Sequence, residues 1–529
     1  MRQIHKSTWL LVLLSAILQF LIFPLPNIYV LCWIAVAPLL IALLRARPPE
    51  TLQLRESAKL LPAKPRQAFV LGYVCGILWY ASTCYWIYNT MRVYGGVDTL
   101  AALGILLLFC LYLALYHGLF GLVISLLAGD SPFSGRTLLL APVVWVGVEL
   151  ARSRITGFPW DLLGIIQVDN IPLARVATIT GVYGVSFEIM LVNAAFAAAF
   201  LLRPGQRRPL LIAASVAVLI LQSGRLINPA PLSKDHLARL VQSNIPVLQG
   251  ADWTKEYFEN TLQDLMRVSL NPDGGAKDPD LIAWPESPAP FYTSDPLFRD
   301  AVSRVAREAK TWVVAGAVGV RNATMNPEQT TQAYNSAVLV NPQGEWVGRY
   351  DKVHLVPFGE YVPFPKLFGF AGGLTKEVGD FTHGEARQPL IADGQKLGVF
   401  ICYESVFPDE VRRFAANGAN VFLNLSNDGW YGDSGAYAQH LKQARMRAVE
   451  NARWLLRDTN TGVTASIDPY GRVVASVPRK VRTVLDAPYA LSNVTTFYTR
   501  HGDWFAFLCA IISVGALALR LPFLRRTKR

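Results

Sequence analysis

Residues 398–410 read GVFICYESVFPDE, and this stretch decides the fold class. The apolar run 398–401 is typical of a buried strand, and it ends at Cys402. Glu404 follows two residues later, and Pro408 then opens a predicted helix. A strand that leads directly into a helix predicts an α/β unit, and residues at strand ends are where sites form in open α/β sheets. The pattern therefore predicts a thiol presented at a strand end.

The same alternation of short β-rich runs and amphipathic helices extends over residues 223–502. Strands are predicted at 237–243, 280–284, 311–318, 335–340, 397–402, 420–425 and 462–467. Helices are predicted at 254–268, 296–309, 408–416 and 435–453. The turn signals NPQGEW and DPYGR lie between apolar runs and indicate hairpins. The segment is therefore predicted to be an α/β domain with a mixed sheet.

The remainder of the chain is far more apolar. Of the 529 residues, 52% are hydrophobic and only 17% are charged, which is typical of an integral membrane protein. Apolar segments suited to membrane spans lie at 8–23, 28–44, 69–88, 100–127, 137–150, 176–202, 210–222 and 503–521. The first is predicted to be a retained helix, because no small-residue cleavage site follows it. The predicted domains are a seven-helix bundle at 1–222, the α/β domain at 223–502, and a last helix with a basic tail at 503–529.

Lysine and arginine are distributed unevenly among the predicted loops. If the N-terminus is inside, the inside segments hold 16 of these residues and the short outside loops hold 4. Short cytoplasmic loops carry an excess of positive charge in membrane proteins. The bias therefore predicts that both termini are cytoplasmic and that the α/β domain lies on the outer side.

Cysteine usage singles out one thiol. The chain has six cysteines, and five lie in apolar segments, where cysteine is usually a small buried hydrophobe. Only Cys402 lies in a region of mixed polarity. A disulfide framework is therefore not predicted.

Two other strand ends carry ionisable side chains. LIAWPES ends near Glu286, and RYDKVHLVPFGEYVP carries Lys352 and Glu360. A carboxylate can take the proton of a thiol, the thiolate can attack an acyl carbon, and an ammonium can stabilise the resulting oxyanion. Taken singly, each residue also fits an ordinary role, as a core thiol, a loop carboxylate or half of a solvated ion pair.

Several motifs together resemble a known family. WPES, YDKVHLVPFGEYVP and ICYESVFPDE, in this order, resemble the nitrilase superfamily of carbon–nitrogen hydrolases. With the flanking spans, LSNDGWYG and QARMRAVENARWLLRDTNTG, essentially the whole chain resembles the apolipoprotein N-acyltransferase family. The resemblance implies a helical membrane bundle of about eight spans plus an αββα sandwich. It also implies a Glu–Lys–Cys triad at Glu286, Lys352 and Cys402.

The resemblance extends to residues around the triad. It implies that Glu360 lies near Lys352, and that Tyr403 and Glu404 support the nucleophile. It further implies that Trp253 and Trp430 contact substrate. An ordinary packing or membrane-interface role fits both tryptophans equally well without the resemblance.

The resemblance also implies a reaction and a location. An acyl chain passes from a phospholipid, typically phosphatidylethanolamine, to the N-terminal diacylglyceryl-cysteine of an apolipoprotein through a thioester on Cys402. The protein is then a multi-pass protein of the bacterial inner membrane, surrounded by membrane lipids, with its catalytic domain on the periplasmic side. No metal or nucleotide cofactor and no nucleic-acid partner is predicted, because the chain has no HExxH, CxxC or glycine-rich phosphate loop.

Three alternatives remain open at the level of sequence. The first is a Cys–His pair that uses His354 or His440 as the base. The second is a membrane-tethered amidase of the nitrilase type that hydrolyses a small amide. The third is a transporter or lipid-binding protein that carries an inactive hydrolase domain.

Overall fold

The computed structural model describes residues 4–48, 60–129, 135–202, 204–247, 252–271, 278–287, 289–322, 331–362 and 381–520. Contacts within the chain divide it into a helical unit (1–88, 100–228 and 501–529) and a sandwich unit (89–99 and 229–500). The segment 89–99, which lies between the predicted spans 69–88 and 100–127, thus groups with the sandwich unit. The three predicted domains stay predictions, and the basic tail lies outside the described residues.

Helices of at least eight residues are numbered in chain order. They are α1 (Lys6–Leu21), α2 (Ala37–Leu44), α3 (Pro65–Thr83), α4 (Thr99–Ala128), α5 (Gly135–Ala151), α6 (Val182–Leu201), α7 (Pro204–Ser223), α8 (Lys255–Leu270), α9 (Pro296–Ala309), α10 (Pro408–Ala416), α11 (Ala436–Asn451) and α12 (Trp504–Ala518). Helices α1–α7 and α12 form the helical unit, and α8–α11 belong to the sandwich unit.

Several helices of the helical unit have the length and composition of membrane spans. Three described helices are long and apolar enough to cross a membrane: Thr99–Ala128, Val182–Leu201 and Arg207–Leu226. Helix α3 and Trp86–Tyr94 make a fourth candidate if they form one span bent by 49°. The predicted span 176–202 is interrupted at Gly181, which has a φ of 66° between two helices. The described helices therefore leave the predicted total of eight spans unconfirmed.

The sandwich unit contains two mixed sheets where the strand pattern predicts one. The strands are β1 (His236–Gln242), β2 (Leu281–Trp284), β3 (Trp312–Asn322), β4 (Thr331–Val340), β5 (Trp346–Asp351), β6 (Leu390–Ala392), β7 (Gln395–Ile401), β8 (Val421–Ser426), β9 (Leu455–Thr459), β10 (Ala465–Ile467), β11 (Val473–Ser476) and β12 (Thr483–Tyr489). The sheet orders are β12-β1-β2-β3-β4-β5 and β11-β10-β9-β8-β7-β6. In each sheet three neighbouring strands are parallel, β1 to β3 and β7 to β9, and the remaining pairs are antiparallel.

The sheets face each other across an apolar core, and helices cover their outer faces. On β2, Leu281 and Ala283 belong to the core shared with the second sheet. Ile282 and Trp284 instead pack with residues of α8 and α9. Successive side chains of a strand point to opposite faces, so a strand covered on both faces is apolar throughout. This layout is the αββα sandwich that the resemblance implies.

The predicted elements of the sandwich unit are all present, and five strands are additional. The four predicted helices correspond to α8–α11, and both predicted hairpins are confirmed by the antiparallel pairs β4–β5 and β10–β11. Strands β5, β6, β9, β11 and β12 are not predicted from sequence. In β9, Arg457 and Asp458 are fully buried, so the run does not show the apolar pattern expected of a core strand.

Gly316 of β3 lies against the turn that carries Glu286. A Cβ at position 316 would lie 2.1 Å from the carbonyl oxygen of Pro285 and 2.9 Å from the Cα of Glu286. We expect Gly316→Ala to lower the free energy of unfolding by about 1–3 kcal/mol, because overpacking displaces the turn. Thermal unfolding of the full chain measures the effect. Gly104→Ala in α4, where a Cβ meets nothing within 4 Å, is the control and should lose no stability. Equal melting temperatures of Gly316→Ala and wild type would contradict the expectation.

Candidate active site

Glu286 lies two residues beyond β2, where it is held from two sides. Glu286 is buried, with 6% of its surface exposed. Oε1 accepts a hydrogen bond from Nδ2 of Asn335 at 2.8 Å, and Oε2 accepts one from the backbone N–H of Asn427 at 2.7 Å. The Nζ of Lys352 lies 3.5 Å from Oε1. The structure therefore brings two of the predicted triad residues together.

Lys352 follows β5 directly and places its ammonium between two carboxylates. Its Nζ donates to Oε1 of Glu360 at 2.9 Å, in addition to its contact with Glu286. The other oxygen of Glu360 accepts from the backbone N–H of Val356 at 2.7 Å. Burial opposes the charge of Lys352, but Glu360 and Glu286 outweigh burial and raise its pKa above the ordinary value of 10.5. Lys352 is therefore a cation throughout the neutral range.

Asn335 of β4 joins the two carboxylates, and the sequence analysis missed it. Its Nδ2 donates to Glu286 Oε1 at 2.8 Å and to Glu360 Oε1 at 2.7 Å. Its backbone oxygen accepts from the N–H of Lys352 at 2.8 Å. The available signal was a polar amide at the head of the apolar run NSAVLV, 335–340.

Cys402 lies at the end of β7 in a strained turn. Its φ of 49° is in the left-handed region that residues with a Cβ rarely adopt. The chain passes there from β7 into the 3-10 helix Cys402–Val406. Such strain persists only where the surroundings impose it, and it is common at functional sites.

The charges around Cys402 define what the thiol can do. Burial raises its pKa above the ordinary value of 9.0, the charge of Glu286 raises it further, and Lys352 lowers it. The resting thiol is therefore protonated at neutral pH and needs a base when it attacks. A carboxylate and an ammonium both act on it electrostatically. The arrangement can thus support base-assisted attack on an acyl carbon, with a cation for the developing oxyanion.

Glu404 connects the turn at Cys402 with the loop that follows Lys352. It is almost fully buried, with 1% exposure. Oε2 accepts from the backbone N–H of Ile401 at 2.7 Å, and Oε1 accepts from the hydroxyl of Tyr350 and from the N–H of Val353, at 2.7 and 2.8 Å. Glu404 thus joins the backbone beside the nucleophile to the backbone after Lys352, and the supporting role that the resemblance implies for it stays a prediction.

Tyr403 and His354 pack on one aromatic side chain. The ring centroids of Tyr403 and Phe407 are 5.1 Å apart, and those of His354 and Phe407 are 3.7 Å apart. The Nδ1 of His354 is 3.0 Å from Oε1 of Glu410. Tyr403 and His354 thus share Phe407 as a packing partner, Glu410 orients the ring of His354, and the supporting role of Tyr403 stays a prediction.

Both ring nitrogens of His440 are engaged beneath the turn. Nδ1 lies 3.0 Å from Oδ1 of Asp428, and Nε2 lies 2.8 Å from Ser405 Oγ and 3.1 Å from the carbonyl oxygen of Cys402. This geometry favours a role in holding the backbone of Cys402 over the role of base in a Cys–His pair. Within the described ranges, no group of three or more His, Cys, Asp or Glu side chains could hold a metal ion.

The two predicted substrate-binding tryptophans have different surroundings. Trp430 lies in the turn Asp428–Tyr431, and its ring centroid is 5.7 Å from that of Tyr94. Trp253 packs on Tyr257 at the start of α8, with centroids 5.0 Å apart. Trp253 therefore groups with the outer helix layer, and a role in substrate binding stays a prediction for both residues.

Asp428 forms a buried ion pair behind the turn at Cys402. Its Oδ2 accepts from Nη2 of Arg457 at 2.9 Å, and its Oδ1 accepts from Ser426 Oγ at 2.8 Å. Burial disfavours the charge of Asp428, but Arg457 and His440 outweigh it and lower the pKa of this carboxyl below its ordinary value of 3.8. Because Asp428 also contacts His440, which lies 3.1 Å from the carbonyl oxygen of Cys402, the ion pair supports the position of Cys402.

Comparison with known proteins identifies similar chains. The profile of the apolipoprotein N-acyltransferase N-terminal domain matches residues 15–195, and that of the carbon-nitrogen hydrolases matches residues 237–498. An apolipoprotein N-acyltransferase from Geobacter metallireducens is 36% identical over 99% of this chain and 97% of its own length. One from Methylococcus capsulatus is 36% identical, covering 85% of this chain and 87% of the relative. One from Shewanella oneidensis is 33% identical, covering 88% and 89%.

Replacing Asp428 by Asn should destabilise the fold in a pH-dependent way. At pH 7 we expect a loss of about 3 kcal/mol, because Arg457 is left as a buried charge without its carboxylate. A carboxyl with a lowered folded-state pKa stabilises the fold fully above its unfolded value near 3.8 and loses that contribution as the pH falls through the folded value. The difference in melting temperature between wild type and Asp428→Asn should therefore shrink as the pH falls below the unfolded-state value of 3.8. Asp433→Asn, at a carboxylate that is 78% exposed, is the control; a pH-independent difference would contradict the ion-pair account.

Proposed function

The chain belongs to the apolipoprotein N-acyltransferase family, and on this premise we propose that it transfers an acyl chain from a phospholipid to the N-terminal diacylglyceryl-cysteine of apolipoproteins. The observation that carries the proposal is the thiol of Cys402 at a strand end under the influence of Glu286 and Lys352. The apolar helices are a second support, because both substrates carry hydrocarbon chains that stay in the bilayer.

In the first half-reaction, Cys402 becomes acylated. Glu286 takes the thiol proton while the sulfur attacks the carbonyl carbon of the sn-1 ester, and a C–S bond forms. Lys352 stabilises the oxyanion of the tetrahedral intermediate. The C–O bond then breaks, Glu286 returns the proton to the departing alkoxide, and a lysophospholipid leaves.

In the second half-reaction, the acyl chain moves to the acceptor. The α-amine of the diacylglyceryl-cysteine attacks the thioester carbon, and Glu286 takes a proton from the nitrogen. The C–S bond breaks, Glu286 gives this proton to the sulfur, and the amide is released. The same triad thus serves both halves of a ping-pong reaction, with the acyl-enzyme as the shared intermediate.

The remaining predicted residues have supporting roles in this proposal. Glu360 orients the ammonium of Lys352, to which it is hydrogen-bonded at 2.9 Å. Glu404 and Tyr403 hold the turn of the nucleophile, and Trp253 and Trp430 contact substrate. Phosphatidylethanolamine is the proposed donor. The proposed location is the bacterial inner membrane, with residues 223–502 on the periplasmic side and both termini in the cytoplasm.

The amidase alternative shares the triad but uses water as the second nucleophile. Family membership and the apolar helices favour N-acylation over hydrolysis of a small amide. Mass spectrometry of the N-terminus of a lipoprotein incubated with the enzyme and phospholipid separates the two. A lipoprotein without an added acyl chain, together with release of free fatty acid, would support hydrolysis.

Cys402→Ala should abolish the acyl-enzyme. After incubation with phosphatidylethanolamine, intact-mass measurement should detect an acyl adduct on the wild-type chain and none on the variant, because the attacking sulfur is gone. Cys509→Ala, at a buried cysteine in α12, should retain the adduct. A thioester that still accumulates in Cys402→Ala would show that another residue is the nucleophile.

Lys352→Met should lower the acylation rate by roughly 100-fold or more, the loss typical of removing one oxyanion-stabilising group. Lys396→Met provides a matched control, because this lysine is exposed on β7 and should keep wild-type turnover. Rapid-quench measurement of the adduct on Cys402 gives both rates. If Lys352→Met acylates at the wild-type rate, Lys352 does not stabilise the transition state.

A further inference from the structure

We propose that Asn335 is a positioning residue for the reaction, which acts by holding the carboxylates of Glu286 and Glu360 at a fixed separation around Lys352. The inference rests on the proposed function, because it assigns Glu286 the role of base. Asn335 lies in β4 and is buried, with 7% of its surface exposed.

The contacts form a closed arrangement of two donors and two acceptors. Oε1 of Glu286 and Oε1 of Glu360 each accept from Nδ2 of Asn335, at 2.8 and 2.7 Å. The same two oxygens face the ammonium of Lys352, at 3.5 and 2.9 Å. An amide NH₂ has two hydrogens, so this geometry uses both of them.

The arrangement solves an electrostatic problem. Two carboxylates in a buried site repel each other, and one ammonium balances only one of them. A second cation would neutralise the pair but would also make Glu286 a weaker base. The neutral amide supplies one hydrogen bond to each carboxylate without adding charge to the site.

Asn335 is itself anchored, which makes it suited to fix other groups. It pairs with Val318 of β3, and its backbone oxygen accepts from the N–H of Lys352 at 2.8 Å. It therefore holds Lys352 through the backbone and the two carboxylates through the side chain. The next residue, Ser336, points to the opposite face and donates to Asp351 at 2.5 Å.

The test measures the pH dependence of alkylation of Cys402 by iodoacetamide in the full-length protein, with the modified peptide identified by mass. Below the pKa of the base the rate falls, and this acid limb reports on Glu286. Removing a hydrogen bond to a carboxylate favours its protonated form, so Asn335→Ala should move the limb to higher pH by about one unit. At a fixed pH on this acid limb, the rate should fall roughly tenfold, because one unit of displacement changes the ionised fraction of the base tenfold there.

Two further variants separate positioning from packing. Asn335→Asp keeps the side-chain volume, removes both N–H groups and places a third carboxylate beside those of Glu286 and Glu360. The acid limb of its alkylation rate should therefore also move to higher pH. Ser336→Ala changes a fully buried polar residue of the same strand and should lower the melting temperature without moving the limb.

An unmoved limb in both Asn335 variants would overturn the inference, even if their rates fall together with their melting temperatures. Failure of both variants to fold would overturn it too, because Asn335 would then be required for folding and not for positioning. The assay uses no phospholipid. A wild-type chain that shows the acid limb but forms no acyl adduct would therefore refute the proposed function and leave the positioning role intact.

Discussion

The ammonium of Lys352 lies buried between two carboxylates, and the arrangement of the sandwich unit follows from this interaction. A buried charge is costly unless it is paired and hydrogen-bonded, so the partners must be delivered with little tolerance. Strand β2 delivers Glu286, β4 delivers Asn335, and the chain after β5 delivers Lys352 and Glu360. These strands belong to one sheet, in which the order is β2-β3-β4-β5. The intervening strand β3 carries Gly316 where it passes the turn of Glu286.

The nucleophile comes from the other sheet, so the site depends on the packing of the two layers. Cys402 directly follows β7, and its left-handed backbone is held on one side by Glu404 and on the other by the group of Asp428, His440 and Arg457. Glu404 also binds the loop after Lys352, and it therefore ties the cation of one sheet to the thiol of the other. Buried polar groups in this unit thus connect layers that apolar contacts alone would leave free to slide.

The sequence predicts those features that depend on local pattern or on motif, and it fails where distant polar partners decide. The apolar strands and amphipathic helices of 223–502 and the two hairpins follow from runs a few residues long, whereas the clustering of Glu286 with Lys352 follows from the resemblance to a known family. Strand β9 was missed because Arg457 reads as exposed until its partner Asp428 is known. Asn335 was missed for the same reason, because an amide becomes informative only when two carboxylates are seen to share it. The number of membrane spans is open because breaks such as Gly181 interrupt segments that composition treats as continuous.

The membership of residues 89–99 in the sandwich unit has a consequence for how this protein can be divided. Thr90 donates to the backbone oxygen of Trp430 at 2.9 Å, and the ring of Tyr94 packs on the same tryptophan. The sandwich unit is therefore discontinuous in sequence, since one of its pieces is encoded between two helices of the other unit. A fragment that begins after α7 lacks this piece, and the backbone around Trp430 loses both contacts. The two units are thus interleaved along the gene, and an exchange of either one between relatives must carry the short segment 89–99 with the sandwich.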